Sequence, residues 1–546
     1  MSRGLANGII VALLCLCVTA CSRVQTGSSA TRHPWTHAGV FQTSTYASPN
    51  SLNPILSSNT AENFYASLAF DLLISLDQRG RQVPILAREV PTPSNGGVSK
   101  DGRRITYHLR HGVKWHDGMP FTSADVQFSW QAVMNPKNNV VSRRGYDLVT
   151  SVQTPDPYTV VFVLSRPFAP AVNTLFAESD QPYRIIPKHI LAKYPDLNAV
   201  PFNSQPVGTG AFKFSRWQRG DRVEYVANSR YFLGTPKLKR IIVKIIPDDN
   251  TRVAQIRTHE LDGAFTLSSA AYRDLRGAPD VKLVLPLRPN YVSLSLNLTH
   301  PPLNDINVRR AIAYAIDKNE ITRDDTYGAA QVATEDLSPF YSWAFDPAVA
   351  QYPYSPGRAA QMLDNAGWHR AAKGMRTKNG QPLSLQLVYG QGSLTSKTLG
   401  VQLQAALSRV GIDTQIKTYN YAVLFAAAQS GGIFNSGKYD LAIYSWVAGA
   451  DPDDSSQWSC AFVPPNGNNL TRYCNKEMDA VQQAALTHFD ITTRKAAYRR
   501  SQELLARDVP AVFLYWPTQR DAVNPDLQNY APNGISEGWN AYQWSI

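Results

Sequence analysis

The stretch that decides the fold is Lys438–Cys474, KYDLAIYSWVAGADPDDSSQWSCAFVPPNGNNLTRYC. Its opening, Tyr439 to Ser445, is a short apolar run that reads as a buried strand. The chain leaves that strand through Trp446, Gly449 and Ala450 and meets three carboxylates, Asp451, Asp453 and Asp454. Pro452 fixes its own φ and pushes Asp451 toward an extended conformation, which predicts a rigid loop rather than a helix start. A large aromatic and a set of acids at the carboxyl end of a strand sit where α/β proteins place ligand contacts. A solvated acidic turn after a core strand is the competing reading, and these residues alone do not choose between the two.

Working outward, Leu383, Leu385 and Leu387 alternate as a strand that leads to Tyr389-Gly390-Gln391-Gly392. Leu399, Leu403, Leu407 and Val410 recur at helical spacing and Gly411 stops the helix. Ile412, Thr414 and Ile416 then make a second strand, and 439–445 a third. Strand–helix–strand alternation predicts a largely parallel sheet with helical crossovers. Further upstream, Asp305 precedes a helix whose Val308, Ala311, Ile312, Ala315 and Ile316 form one apolar stripe. Near the start, Thr60 reads as an N-cap, with Phe64, Leu68 and Leu72 as core. Ile105, Tyr107 and Leu109 alternate as a half-buried strand, and Thr122 or Ser123 caps a helix carrying Val126, Trp130 and Val133. His116 beside Asp117 has no nucleophile nearby in the sequence and reads as a structural turn rather than a catalytic pair.

One segment, LRHGVKWHDGMPFTSADV (109–126), resembles the hallmark of the bacterial extracellular solute-binding proteins of family 5, the dipeptide/oligopeptide/nickel receptors of ATP-driven importers. Further matches follow in the family's order: PVGTGAFKF (206–214), NSRYFLGTP (228–236), RTHELDGA (257–264), PPLNDINVRRAIAYAIDKNEI (301–321) and YSPGRAAQMLDNAGW (354–368). The acidic loop falls where the family has a Trp followed by Asp-Pro-Asp. The resemblance covers the chain from about residue 40 to its end. It implies an α/β fold of two lobes hinged by crossover strands, a Venus flytrap with an extra domain inserted in the first lobe. The expected division is 39–76, 204–290 and 511–546 for lobe I, 77–203 for the inserted domain and 291–510 for lobe II. The crossings are expected near Tyr291–Asn297 and Ala511–Tyr515.

The same resemblance implies a binding role without catalysis, cofactor or metal. The ligand, a peptide or other small molecule, is captured between lobes that close on it and is handed to the permease and ATPase subunits of an ABC transporter. Trp446 is suited to line the pocket and Asp451 to anchor a cationic or hydroxylated group. Gly449, Ala450, Asn59, Thr60 and Tyr389 complete the expected ligand contacts. Peptide-binding relatives carry an aspartate three residues after this tryptophan, and Gly449 stands there instead. Peptide leads among the ligands; an oligosaccharide, opine, haem or nickel chelate stays open, as do an exported enzyme or a ligand sensor on the same fold.

Composition agrees with an exported binding protein. At 546 residues the chain exceeds a single core, and 43% apolar residues suffice for several. The net charge of +12 is scattered without a basic block, which argues against a nucleic-acid partner. No P-loop, HExxH or GxSxG pattern occurs, so ATP hydrolysis by a P-loop, a zincin site and a nucleophile elbow are without support. Arg3 and the apolar Ile9–Ala20 make residues 1–20 a signal peptide, too short to span a bilayer stably. Val18-Thr19-Ala20-Cys21 resembles the lipoprotein lipobox, with Cys21 acylated and 21–38 a polar tether; an ordinary signal peptide is the alternative. Cys460 and Cys474 then remain as an even pair in an exported, monomeric protein, and a disulfide between them is expected.

Overall fold

The computed structural model describes residues 32–56, 60–371 and 374–546. The chain divides into Met1–Thr36 and His37–Ile546. In the first unit His33 stacks on Trp35; the signal-peptide and Cys21 expectations lie outside the described residues. All that follows concerns the second unit.

Two large mixed sheets organise it. The first has seven strands in the order Lys282–Val284, Asp521–Val523, Gly263–Ala264, Val40–Thr45, Arg240–Ile245, Arg222–Ala227 and Phe212–Gln218. The second has six: Gln331–Val332, Ala511–Trp516, Asn290–Leu296, Leu441–Val447, Ser384–Gly390 and Asp413–Tyr419. Between Gln82–Pro84 and Phe212–Gln218 the chain builds a separate three-stranded antiparallel sheet, Arg104–His108, Thr159–Leu164 and Val149–Asp156. The helix Ser123–Met134 follows its first strand, and the Thr122 N–H donates to the Asp125 carboxylate at its start.

The periodicities read from sequence recur as elements. Leu383, Leu385 and Leu387 are buried, and Leu399, Leu403 and Leu407 are buried on the helix Leu394–Arg409, which ends before Gly411 at φ +87°. Asp305 caps Ile306–Ala315 by accepting from the Asn307 N–H at 2.8 Å. In the PVGTGAFKF segment, a Cβ at Gly208 would stand 1.7 Å from the Ala69 carbonyl oxygen, so only glycine lets this turn meet the end of the helix Thr60–Ala69.

Four expectations are corrected. The second sheet is parallel only among 384–390, 413–419 and 441–447; its other three strands pair antiparallel, because they enter from the hinge rather than through crossover helices. The strand of the opening stretch is Leu441–Val447, not 439–445, and Trp446 lies inside it. Asn290–Leu296 and Ala511–Trp516 are not crossings but adjacent strands of the six-stranded sheet, so 511–516 belongs with 291–510. The true crossings, 285–289 and 517–520, are set by Pro286, Pro289 and Pro517, which cannot donate to a ladder. They bond to each other: Gln519 N–H to Pro286 O at 3.0 Å and Arg288 N–H to Pro517 O at 3.3 Å. Lastly, Thr60 is the first residue of its helix, not the residue before it.

Candidate functional site

A cleft of about 1200 Å³, including its open mouth, lies between the two large sheets beside both crossings. The seven-stranded side supplies Thr45, Phe64, Phe265, Thr266 and Glu537; the crossings supply Arg288 and Gln519; the six-stranded side supplies Val447 and Ala448. Ser179, Asp180 and Gln181, from the inserted segment, close another wall. A concave space between two sheets, lined by aromatic and apolar side chains with a few polar groups, is the kind of place where small solutes bind.

Two polar atoms of this wall, Asn63 Oδ1 and Arg288 Nε, are buried without a hydrogen-bond partner. Such groups are costly unless something fills the space before them. Thr266 has φ +54°, strained for a β-branched residue, and its N–H donates to Asp521 at 3.0 Å. Burial, aided by the Asp521 charge, pushes Glu537 up to about 7, and burial pushes Asp521 up to about 6.

The residues expected to bind ligand divide sharply. Strand alternation turns Val447 to the large cleft and Trp446 to the opposite face, where it pairs with Tyr291 and packs on the cluster containing Phe513 and Trp516. Extending the strand by two residues is what separates them. Trp446 Nε1 is sealed without a partner, and the residue borders a smaller recess of about 440 Å³ shared with Gly449, Ala450 and Asp451. Tyr389 is buried in its strand, its ring lying over Gly400 of the following helix. Thr60 opens the helix whose Ala61, Asn63 and Phe64 line the cleft; Asn59 lies outside the described residues. Sequence reasoning had placed Phe64 in the core alone.

The three acids of the loop are engaged by protein. Asp451 accepts from Arg494 Nη2 at 2.7 Å, both side chains under 10% exposed, and from Asn173 at 3.3 Å. Asp453 pairs with Arg144 at 2.7 Å. Asp454 accepts from Gln482 at 2.8 Å and is pushed far up by burial and by the neighbouring Asp336, with which it shares a hydrogen bond. Asp451, expected as a ligand anchor, is thus paired with Arg494 and borders the smaller recess rather than the large cleft. The loop docks instead on the inserted segment. A Cβ at Gly449 would lie 2.6 Å from the Asp180 nitrogen, Ala450 N–H donates to Glu178 O at 2.8 Å, and Tyr341 OH donates to Gly449 O at 2.7 Å. Cys460 and Cys474 form the expected disulfide just beyond it.

His116 is structural, as read: its Nδ1 accepts from Gly208 N–H at 3.2 Å and its Nε2 meets Gly210 O at 2.9 Å, while burial pulls it down to about 4 and leaves it neutral. Among the described residues no cluster of His, Cys, Asp or Glu is suited to a metal ion, and no helix is long and apolar enough to cross a membrane. The sequence did hold one signal for the missed site: Arg288 interrupts an apolar run between two prolines, LPLRPN.

The profile of bacterial extracellular solute-binding proteins, family 5 Middle, matches residues 81–468. The chain is 26% identical over 544 residues to the oligopeptide-binding protein AppA of Bacillus subtilis, covering 98% of this chain and 97% of that one. It is 28% identical over 466 residues to the dipeptide-binding protein of Escherichia coli, covering 81% and 83%. Among solved structures, NikZ of Campylobacter jejuni in complex with Ni(L-His) superposes with a TM-score of 0.74 at 26% identity, covering 94% of this chain and all of the other.

Proposed function

Because this chain belongs to the bacterial extracellular solute-binding proteins of family 5, whose members serve ABC importers as receptors rather than enzymes, we propose that its interlobe cleft captures a peptide. The lobes close over the peptide and the complex delivers it to the permease. The observation that carries this reading is the cleft itself: a concave space between two sheets joined, among the described residues, by paired crossings, with Arg288 on a crossing and Asp180 on the inserted segment bringing opposite charges to its lining. A peptide, with its charged ends and many donors and acceptors, suits such a lining. The relatives named for peptide binding point the same way. Lobe I then comprises 39–76, 204–284 and 521–546, the inserted domain 77–203, and lobe II 290–516.

The receptor acts as a monomer, tethered to the membrane through acylated Cys21. Native mass spectrometry of protein purified from its own host is the test. Co-purifying peptide masses, displaced by a synthetic peptide mixture, are expected; a bound nickel chelate or sugar would overturn the peptide assignment and keep the receptor. Cys21→Ser should move the protein from the membrane fraction to the soluble one, since the buried acyl methylenes, each contributing about 0.8 kcal/mol, are lost. Persistence in the membrane would rule the lipid anchor out.

A further inference from the structure

We infer that Arg288 is the anion anchor of the cleft, receiving a ligand carboxylate at the hinge. The inference rests on the peptide reading above and adds to it which protein group reads the ligand's negative charge. Among the described residues Arg184, Arg288 and Arg310 each carry an Nε buried without a partner, and of the three only Arg288 lines the cleft. Arg252, Arg376 and Arg494 are buried and each meets a carboxylate within 3 Å. Arg288 lines the cleft, its Nε is sealed from solvent without a partner, and among the described residues it makes no ion pair. A desolvated guanidinium edge with no acceptor is unfavourable, and a planar carboxylate fits its fork by two parallel bonds.

Neither nearby acid bonds to it. Asp521 already accepts from Thr266 N–H, from Gln519 at 2.8 Å and from Tyr530 OH at 2.7 Å, and Glu537 from the Thr266 hydroxyl at 3.4 Å. Burial pushes both acids up while the charge of Arg288 holds them down, and near pH 7 Asp521 is largely ionised; neither acid occupies the arginine's donors, which stay open to a ligand. The backbone that carries Arg288 is held firmly. Its N–H bonds to Pro517 O, Ala448 N–H bonds to Pro289 O at 3.0 Å, and the Leu287 carbonyl packs so closely on Gly534 that a Cβ there would stand 2.0 Å away. The guanidinium is thus presented from the crossing itself, the part of the molecule that moves least when lobes rotate about it. A ligand can engage it before closure, leaving its other contacts to select the closed state.

The test uses mature full-length protein and four mixed tripeptide libraries: with free or amidated C-termini, each made with and without Asp and Glu. Binding is read by calorimetry and native mass spectrometry for wild type, Arg288→Gln and Arg288→Lys, with thermal melts to verify folding. Wild type should bind free-acid peptides about ten- to a hundredfold tighter than amides lacking acidic side chains. Rescue of amidated peptides by Asp or Glu would show that a side-chain carboxylate is the one read. Arg288→Gln should reduce the preference to less than about threefold, the loss falling on carboxylate-bearing peptides, and Arg288→Lys should keep part of it. Equal binding of acid and amide by wild type, or an undiminished preference in either variant, would overturn this inference and leave the peptide reading standing. No binding of any library by wild type would overturn both. Should Arg288→Gln fail to fold, the wild-type acid-to-amide ratio and Arg288→Lys still decide the matter.

Discussion

Asp451 and Glu537 illustrate how differently two buried acids behave. Asp451 faces Arg494 at 2.7 Å with both groups nearly excluded from water. Removing one partner of such a pair strands the other charge, which costs about 3–5 kcal/mol. Asp451→Asn should therefore lower the free energy of unfolding by an amount of that order, while affinity for a bound peptide changes less than about threefold; denaturant titration and calorimetry on the same variant check both halves. Glu537 has no arginine within bonding distance among the described residues, and burial, with the Asp521 charge, lifts it from its ordinary 4.5 to about 7. The folded state then binds a proton that the unfolded state has released between those two values. Its contribution is complete below about pH 4.5 and is lost as the pH rises through about 7, an amount on the order of 3 kcal/mol. Glu537→Gln should flatten the fall in stability between pH 5 and pH 8, measured by chemical denaturation at each pH; an unchanged slope would show that Glu537 titrates normally.

Among the elements, the loop after Leu441–Val447 sets how lobe II meets the inserted segment. Two of its contacts have different weights. The Arg144–Asp453 pair has its arginine 42% exposed, and exposed pairs contribute about 0–1 kcal/mol. Gly449 is a matter of sterics, since an added Cβ would press on the Asp180 backbone, which cannot rotate away as a side chain could. Gly449→Ala should therefore shift molecules toward an open state and weaken apparent peptide affinity several-fold through the reduced closed population. Asp453→Asn should change it less than about twofold. Small-angle scattering of both variants with and without peptide reads the closure directly. A more compact Gly449→Ala protein, or a larger effect from Asp453→Asn, would contradict this ranking. The strand ahead of the loop also explains why the site was only partly legible. The apolar run announced a strand, but the end of that strand fell two residues later than read, at Val447. With a period of two, that extension decides which side chains face the cleft and which face the core.

At the scale of the whole molecule, the Cys460–Cys474 link closes a loop of 14 residues next to the acidic turn. Loops of this length contribute about 3 kcal/mol in the chain-entropy account. Reduction should lower the thermal midpoint by several degrees without separating the sheets, because each large sheet has its own core. A melt in reducing and non-reducing buffer checks this, and two alkylatable thiols in oxidised, denatured protein would refute the link. The two-sheet plan also fixes where movement is possible. Among the described residues 285–289 and 517–520 are the segments through which the chain passes between the large sheets, and they are bonded to each other as a single paired strap.

The residues by themselves determined the local elements: the apolar stripe of 306–315, the alternation at 383–387, the glycines of 206–214 and the even cysteine pair all dictate their structure through spacing and backbone freedom. The ordered motifs determined the family and with it the two-lobed plan. Tertiary structure alone decided the site. Arg494 lies 43 positions from Asp451, and Glu537, Arg288 and Phe64 meet at one cleft from three distant parts of the chain. Neither a charge's partner nor its access to water is written in its neighbours along the sequence. Both are set when the sheets pack, which is why the acids of the opening stretch bond to protein and an arginine between two prolines lines the cleft.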